Sequence, residues 1–233
     1  MDQIVSTGIL TLMSGPDLSS SFARFKAHWS YFWGDHGFIR LSFTNAHWLD
    51  EHFVRSNQPS PRQLAWWKRQ GIRTVINLRG ARDEPFYWLE REACQRLGLV
   101  LINAPLDSRD APDVERVRNA EHLFRTIEYP VLIHCKSGAD RAGLMAALYR
   151  HLAKGEPMAK AKSELGRRTL HNREGKTGVL DEVLETYADR YEPNGVGLIE
   201  WMSGPDYDPC RITRDYRAKW WGHLFFERCL RRE

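Results

Sequence analysis

One run constrains this chain more than any other: Val131-Leu132-Ile133-His134-Cys135-Lys136-Ser137-Gly138-Ala139-Asp140-Arg141-Ala142-Gly143. Three apolar residues lead into His-Cys, five residues separate Cys135 from Arg141, and an alanine-rich helical pattern follows. The order reads as strand, loop, helix. Gly138 lets the loop turn tightly. Backbone N–H groups curled over one point form an anion nest, and the N-terminus of the next helix adds partial positive charge. A cysteine at the floor of such a nest attacks as its thiolate. An arginine at the rim matches two phosphate oxygens with its planar fork. Cys135 is therefore the candidate nucleophile. Lys136, Ser137, Gly138, Ala139, Asp140 and Arg141 are the candidate phosphate-binding set. The bland alternative is a core cysteine with an arginine six positions on by chance. His134, Gly138 and Gly143 in the same run weigh against it, as does the strand–loop–helix context.

The run resembles the signature of the cysteine-dependent protein tyrosine phosphatase superfamily, H-C-x-x-G-x-x-R-[S/T]-G. Every fixed position matches except Ala142, where Ser or Thr is usual. Phe53-Val54-Arg55-Ser56-Asn57-Gln58-Pro59 and Gly71-Ile72-Arg73-Thr74-Val75-Ile76-Asn77-Leu78-Arg79 are similar to the opening of bacterial and fungal dual-specificity-like phosphatases. The resemblance covers residues 53–191. It implies phosphomonoester hydrolysis without a metal or other cofactor. Cys135 would attack phosphorus to give a phosphocysteine, and water would then hydrolyse it. His134, at the strand end, would hold the loop by a hydrogen bond. Ala142 lacks the hydroxyl that steadies the departing thiolate, which implies slower turnover with phosphate capture intact. Lys136 beside the trap suits a substrate with more than one phosphate, as in phosphoinositide and inositol-phosphate phosphatases. A merely solvent-facing lysine is the even alternative.

The leaving oxygen needs a proton, so a carboxylic acid near the trap is expected. Much of the superfamily carries it on a separate upstream loop. Asp107 and Asp110, 28 and 25 residues before Cys135, lie on such a loop. Asp140, immediately before the loop arginine, is the other candidate, as in some lipid phosphatases and lipid-active bacterial relatives. Asp140 is slightly favoured and Asp110 comes next. Loop capping is the plain alternative for Asp107.

Strands alternate with helices along the chain. Ile72–Leu78, Leu99–Ala104 and Val131–His134 read as strands. Helices are expected over 62–70, 84–97, 113–128, 141–153, 158–166 and 179–191, with Ser60 and Asp113 as caps. The fold class is α/β: a central, mostly parallel sheet of four to five strands with helices on both faces, plus helical terminal extensions. Ligands in such sheets bind at the carboxyl ends of strands, where Cys135 lies. The Arg79-Gly80 turn and loop 105–112 are expected at the same edge.

Composition bounds the rest. Cys94, Cys135, Cys210 and Cys229 show no disulfide or zinc spacing, which fits a reducing compartment. No basic leader opens the chain, and no apolar run approaches a membrane span. The chain reads as cytoplasmic. Residues 211–233 hold seven basic and three acidic side chains, a surplus equal to the whole net charge of +4. The remainder is balanced, so a nucleic-acid footprint is absent. The expected division is an aromatic-rich extension over 1–45, a catalytic domain over 46–192, and a basic, Trp-rich tail over 193–233. Phe22, Phe25, Trp29, Phe32 and Trp33 recur at helical spacing. Tyr216, Trp220, Trp221, Leu224, Phe225 and Phe226 stand among arginines. Both patterns fit helices packed on the catalytic domain. They also fit an interfacial segment on an anionic membrane, with the protein peripheral on its inner face. Met13–Asp17 and Met202–Asp206 repeat the same five residues and read as two turns.

The partner is thus a phosphorylated protein, lipid or inositol. A phosphate-binding pseudophosphatase is the rival from another class. A rhodanese-like sulfurtransferase ranks below both, because its loop does not call for an arginine at this spacing.

Overall fold

The structure, a computed structural model, describes residues 20–34 and 43–230. The Met13–Asp17 copy of the repeat lies outside the described residues, as do the side chains of Phe32, Leu224, Phe225 and Phe226. The helices are α1 (Ser21–Trp33), α2 (Pro61–Arg69), α3 (Pro85–Leu97), α4 (Val114–Thr126), α5 (Asp140–Leu148), α6 (Met158–Ala161), α7 (Val179–Arg190), α8 (Leu198–Ser203) and α9 (Pro209–Leu230). The strands are β1 (His47–Trp48), β2 (Phe53–Ser56), β3 (Thr74–Asn77), β4 (Val100–Asn103) and β5 (Val131–His134).

The sheet order is β1-β2-β5-β3-β4, and only the β1–β2 pair is antiparallel. The expected α/β class and mostly parallel sheet are what forms. Two strands were not read from the sequence. Arg55 interrupts the apolar run of β2, and β1 has two residues. The helix expected over 141–153 is α-helical to Leu148 and continues as a π-turn over Tyr149–Ala153. That expected over 158–166 tightens after Ala161 into a 3₁₀ turn.

Alternation sorts the strand side chains onto two faces. Phe53, Ile76, Val131 and Ile133 join the larger core with α4, α5 and α7. Val54, Val75 and Leu132 pack against Leu64 and Trp67 of α2 and Ala93 and Cys94 of α3. Each such fully buried side chain contributes about 1.5–3 kcal/mol, and β5, buried on both faces, anchors the sheet. Ser60 and Gln63 form a capping box on α2, and Asp113 accepts from Arg116 N–H at 2.8 Å on α4. Both caps were expected.

Register brings the site together. Ser56 and Asn77 both pair with His134, so β2, β5 and β3 end level. Gln58, Arg79 and Cys135 therefore emerge at one edge.

Beyond residue 192 the chain continues into the larger core through Leu198, Trp201, Met202 and Tyr207. Helix α9 then crosses loop 105–112. Thr213 is buried and its hydroxyl accepts from Ala111 N–H at 2.9 Å. Arg217 pairs with Asp110 at 2.6 Å, and Lys219 with Glu182 at 2.8 Å. At the other end, α1 buries Ala27 against Phe86, Tyr87 and Leu89 of α3. Its aromatic stripe faces outward, with Phe22 76% and Trp29 59% exposed. Among the described residues no helix is long and apolar enough to cross a membrane.

Candidate active site

Cys135 leaves β5 into the loop 135–141, buried, with its Sγ accepting from Gly138 N–H at 3.2 Å. The other loop groups are fixed from outside. Gln58 N–H donates to Lys136 O at 3.3 Å. Asn45 Nδ2 donates to Ser137 O at 3.0 Å. Arg55 Nη2 donates to Gly138 O at 2.7 Å and to Ala139 O at 2.9 Å. Four consecutive carbonyls are thus drawn outward. In a planar trans peptide the N–H points opposite to the C=O before it. The N–H groups of Ser137, Gly138, Ala139 and Asp140 are consequently turned away from those donors; Gly138 N–H reaches Sγ, and Ala139 N–H donates to Ser137 Oγ at 3.3 Å. N–H groups in such a run can hold an anion.

Arg55 is the central brace, and its side chain is fully buried. Nη1 donates to Glu164 O at 2.6 Å and Glu164 Oε2 at 3.1 Å. Burial pulls the guanidinium below its ordinary pKa, and Glu164 opposes that pull. Glu164 also holds Arg150 at 2.6 Å. Arg55 stood in a motif quoted above without a role. An arginine between Val54 and Ser56 in a strand flanked by apolar residues was the signal.

Two glycines are demanded by this packing. A Cβ on Gly143 would meet Leu165 Cδ2 at 2.7 Å and Arg55 Nη2 at 3.3 Å. Gly138 has φ of +76°, and a Cβ there would stand 2.8 Å from Asn57 N. We predict that Gly138→Ala destabilises the fold by about 1–3 kcal/mol and lowers Tm by several degrees in a thermal melt. An unchanged Tm would mean that the loop has another conformation.

The remaining expected residues fall as follows. Lys136 and Ser137 are exposed at the rim, and Arg141 is half-buried in the first turn of α5. Ala142 is fully buried in the same core cluster as Cys135. His134 meets the loop through a long hydrogen bond between Nδ1 and Cys135 O at 3.4 Å. Its Nε2 is 2.5 Å from Glu90 Oε1, both side chains fully buried, without hydrogen-bond alignment. Asp107 pairs with Arg116 at 2.6 Å, and Asp110 with Arg217. Those contacts tie both aspartates to helices α4 and α9. Asp140 Oδ1 instead meets His171 Nδ1 at 2.8 Å, and His171 Nε2 meets Asp181 Oδ2 at 2.6 Å. Burial alone would lower the His171 pKa, but the hydrogen bonds with Asp140 and Asp181 outweigh it and raise it to about 9. His171 was not found from sequence; it is a lone histidine in a turn-rich stretch. Cys94 is a core residue, and burial pushes its thiol up to about 12.

Residues 43–182 match the model of the family described as "DSP-PTPase phosphatase fused to NAD+ Kinase". The chain belongs to this family. Among curated relatives of this dual-specificity phosphatase family, it is 28% identical to "Dual specificity protein phosphatase TpbA" of Pseudomonas aeruginosa over 176 residues, 76% of this chain and 75% of that one. The fold is similar to that of TpbA in complex with pTyr, with a TM-score of 0.51 and 22% identity over 69% of this chain and 91% of that one. It is also similar to the core catalytic domain of the PP-IP phosphatase Siw14 of Saccharomyces cerevisiae in complex with citrate, with a TM-score of 0.51 and 18% identity over 65% and 90%.

Proposed function

We propose that this chain is a phosphomonoesterase working through a phosphocysteine on Cys135. The observation that carries the reading is the outward anchoring of four loop carbonyls, which turns the intervening N–H groups the other way, with Gly138 N–H on the Cys135 sulfur. The phosphoryl group sits in the nest formed by residues 136–141, with Arg141 clamping two of its oxygens. The thiolate attacks phosphorus, the leaving oxygen takes a proton from Asp140, and water then releases phosphate. Asp110 is the second candidate for the acid. Its pairing with Arg217 supports a loop-bracing role, whereas Asp140 is built into the loop itself. No metal or other cofactor enters these steps.

The substrate is a phosphotyrosine protein or a phosphorylated lipid or inositol. TpbA is described with pTyr and Siw14 as a PP-IP phosphatase, so relatives support both classes. The exposed cation of Lys136 supports a substrate bearing further phosphates. Of the two ends, α1 supports contact with an anionic membrane better than residues 211–233 do. Its four exposed aromatics form one stripe, while Arg217 and Lys219 of α9 are neutralised within the fold. The test is a metal-free panel of phosphotyrosine peptides, phosphoinositides and soluble inositol phosphates, ranked by kcat/KM. The leading class should exceed the others by at least about tenfold, equivalent to about 1.4 kcal/mol. Equal, near-background rates with tight vanadate binding would instead favour capture without turnover, the reading that Ala142 supports.

A further inference from the structure

Beside the nest, Asp140 is joined to two side chains that the steps above do not use. His171 is buried, its imidazole held between two carboxylates from different helices, Asp140 of α5 and Asp181 of α7. Both ring nitrogens face carboxylate oxygens, so both are satisfied as donors when the ring carries its second proton. Asp140 is partly exposed, with 23% of its side chain open to solvent, and Asp181 is nearly closed off at 10%. The arrangement runs from the site mouth to an inner anchor. A second, distal carboxylate on a histidine fixes the ring and supports its charged form. A single aspartate serving only as a cap would need no such partner.

We propose that Asp140, His171 and Asp181 form one relay, in which His171 holds the proton that Asp140 hands to the leaving group and Asp181 fixes the imidazole. The inference rests on the phosphocysteine reading and on Asp140 as the acid. The balance closes over the two steps. As the P–O bond breaks, the Nδ1 proton of His171 passes to the Asp140 carboxylate and from it to the leaving oxygen, leaving a neutral imidazole and an ionised Asp140. When water attacks the phosphocysteine, the proton it loses returns through Asp140 to Nδ1, and the thiolate of Cys135 leaves. No oxidant, metal or further reactant is required. His171 is a positioning residue here, since it acts through Asp140.

Other charges surround the relay. Lys162, Arg167, Arg173, Glu174 and Glu185 line a cavity of about 340 Å³ that also borders His171 and Asp181. These groups are of mixed sign, and the two aspartates make the direct contacts. Since the imidazole titrates near 9, the relay is loaded below that pH and empties above it. Rates on a poor leaving group should fall as pH rises through that value.

The test compares phenyl phosphate, a poor leaving group, with p-nitrophenyl phosphate, which departs nearly unaided. His171→Gln and Asp140→Asn should each lose roughly 10²-fold on phenyl phosphate, and far less on p-nitrophenyl phosphate. The double variant should be no worse than Asp140→Asn alone, because the two act as one unit. Asp181→Asn should move the basic limb of the phenyl phosphate pH profile down by at least about one pH unit, and it keeps the test open should His171→Gln fail to fold. Imidazole added to His171→Ala should restore part of the phenyl phosphate rate. Selective loss in Asp140→Asn with equal losses on both substrates in His171→Gln would overturn the relay while keeping Asp140 as the acid. An unmoved basic limb in Asp181→Asn would overturn it as well. Full activity in Cys135→Ser would instead defeat the underlying reading.

Discussion

Cys135→Ser is expected to lower hydrolysis of p-nitrophenyl phosphate by roughly 10⁴-fold or more, the scale on which removing a nucleophile acts. Phosphate and vanadate binding should survive. The reason lies in who builds the nest. Its N–H groups are oriented by Gln58, Asn45 and Arg55, whose hydrogen bonds go to the loop carbonyls. Serine is close in size to cysteine, so the loop need not rearrange. Its hydroxyl is a far weaker nucleophile. Arg141→Lys should fail for a different reason, because a point charge cannot reproduce the two-pronged clamp. Turnover by each variant and vanadate affinity measured by calorimetry separate the two losses. Wild-type turnover in Cys135→Ser, or strict dependence on an added metal, would sink the thiolate mechanism.

The second large effect falls on Arg55. Arg55→Leu removes one member of a buried ion pair and takes the Arg55 donor from the Gly138 carbonyl, while Glu164 keeps Arg150 and the Ala139 carbonyl keeps Gly143 N–H. Breaking such a pair from one side costs about 3–5 kcal/mol. In a chain of this size that lowers Tm on the order of 10 °C. Anion binding should be lost too, because the freed Gly138 carbonyl no longer fixes the N–H group of Ala139. The double variant Arg55→Leu/Glu164→Leu distinguishes the two roles. Removing both charges should recover much of the stability, since the desolvation cost of each disappears, but it should not recover binding. A double variant that regained phosphate affinity would show that the loop shapes itself without Arg55. Arg150 retains Glu156 at 3.1 Å in that background, which limits the collateral cost.

Local chemistry was legible in the sequence, and long-range bracing was not. Cys135, Gly138 and Arg141 belong to one run whose spacing follows from a single turn of backbone around an anion. The sheet followed from apolar strands ended by turn residues. The groups that shape the nest lie far off in sequence: Arg55 reaches Gly138 across 83 positions and Asn45 reaches Ser137 across 92. No periodicity links such residues. Strand β2 escaped detection for the same reason, since the residue that breaks its apolar pattern is the one the loop needs. His171 is 31 positions from Asp140 in a stretch of turns, where a histidine carries no positional signal. The terminal helices were recognised as amphipathic, but only the structure distinguishes their packing faces. On α1 the small Ala27 faces the domain and the aromatics face out.

The brace on loop 105–112 has a consequence for how the protein comes into being. Asp110 and Arg217 are 107 positions apart, and Ala111 and Thr213 are 102 apart. A chain made from its N-terminus exposes Cys135, Arg141 and His171 well before the residues that fasten this loop exist. Domains and their parts fold as they emerge, and long closures come last. The residues of loop 135–141 therefore emerge early, and the last fastenings of loop 105–112 form only when α9 has left the ribosome. A ribosome stalled between codons 192 and 213 would hold a chain in which Asp107 has Arg116 to pair with, while Asp110 and Ala111 still lack Arg217 and Thr213.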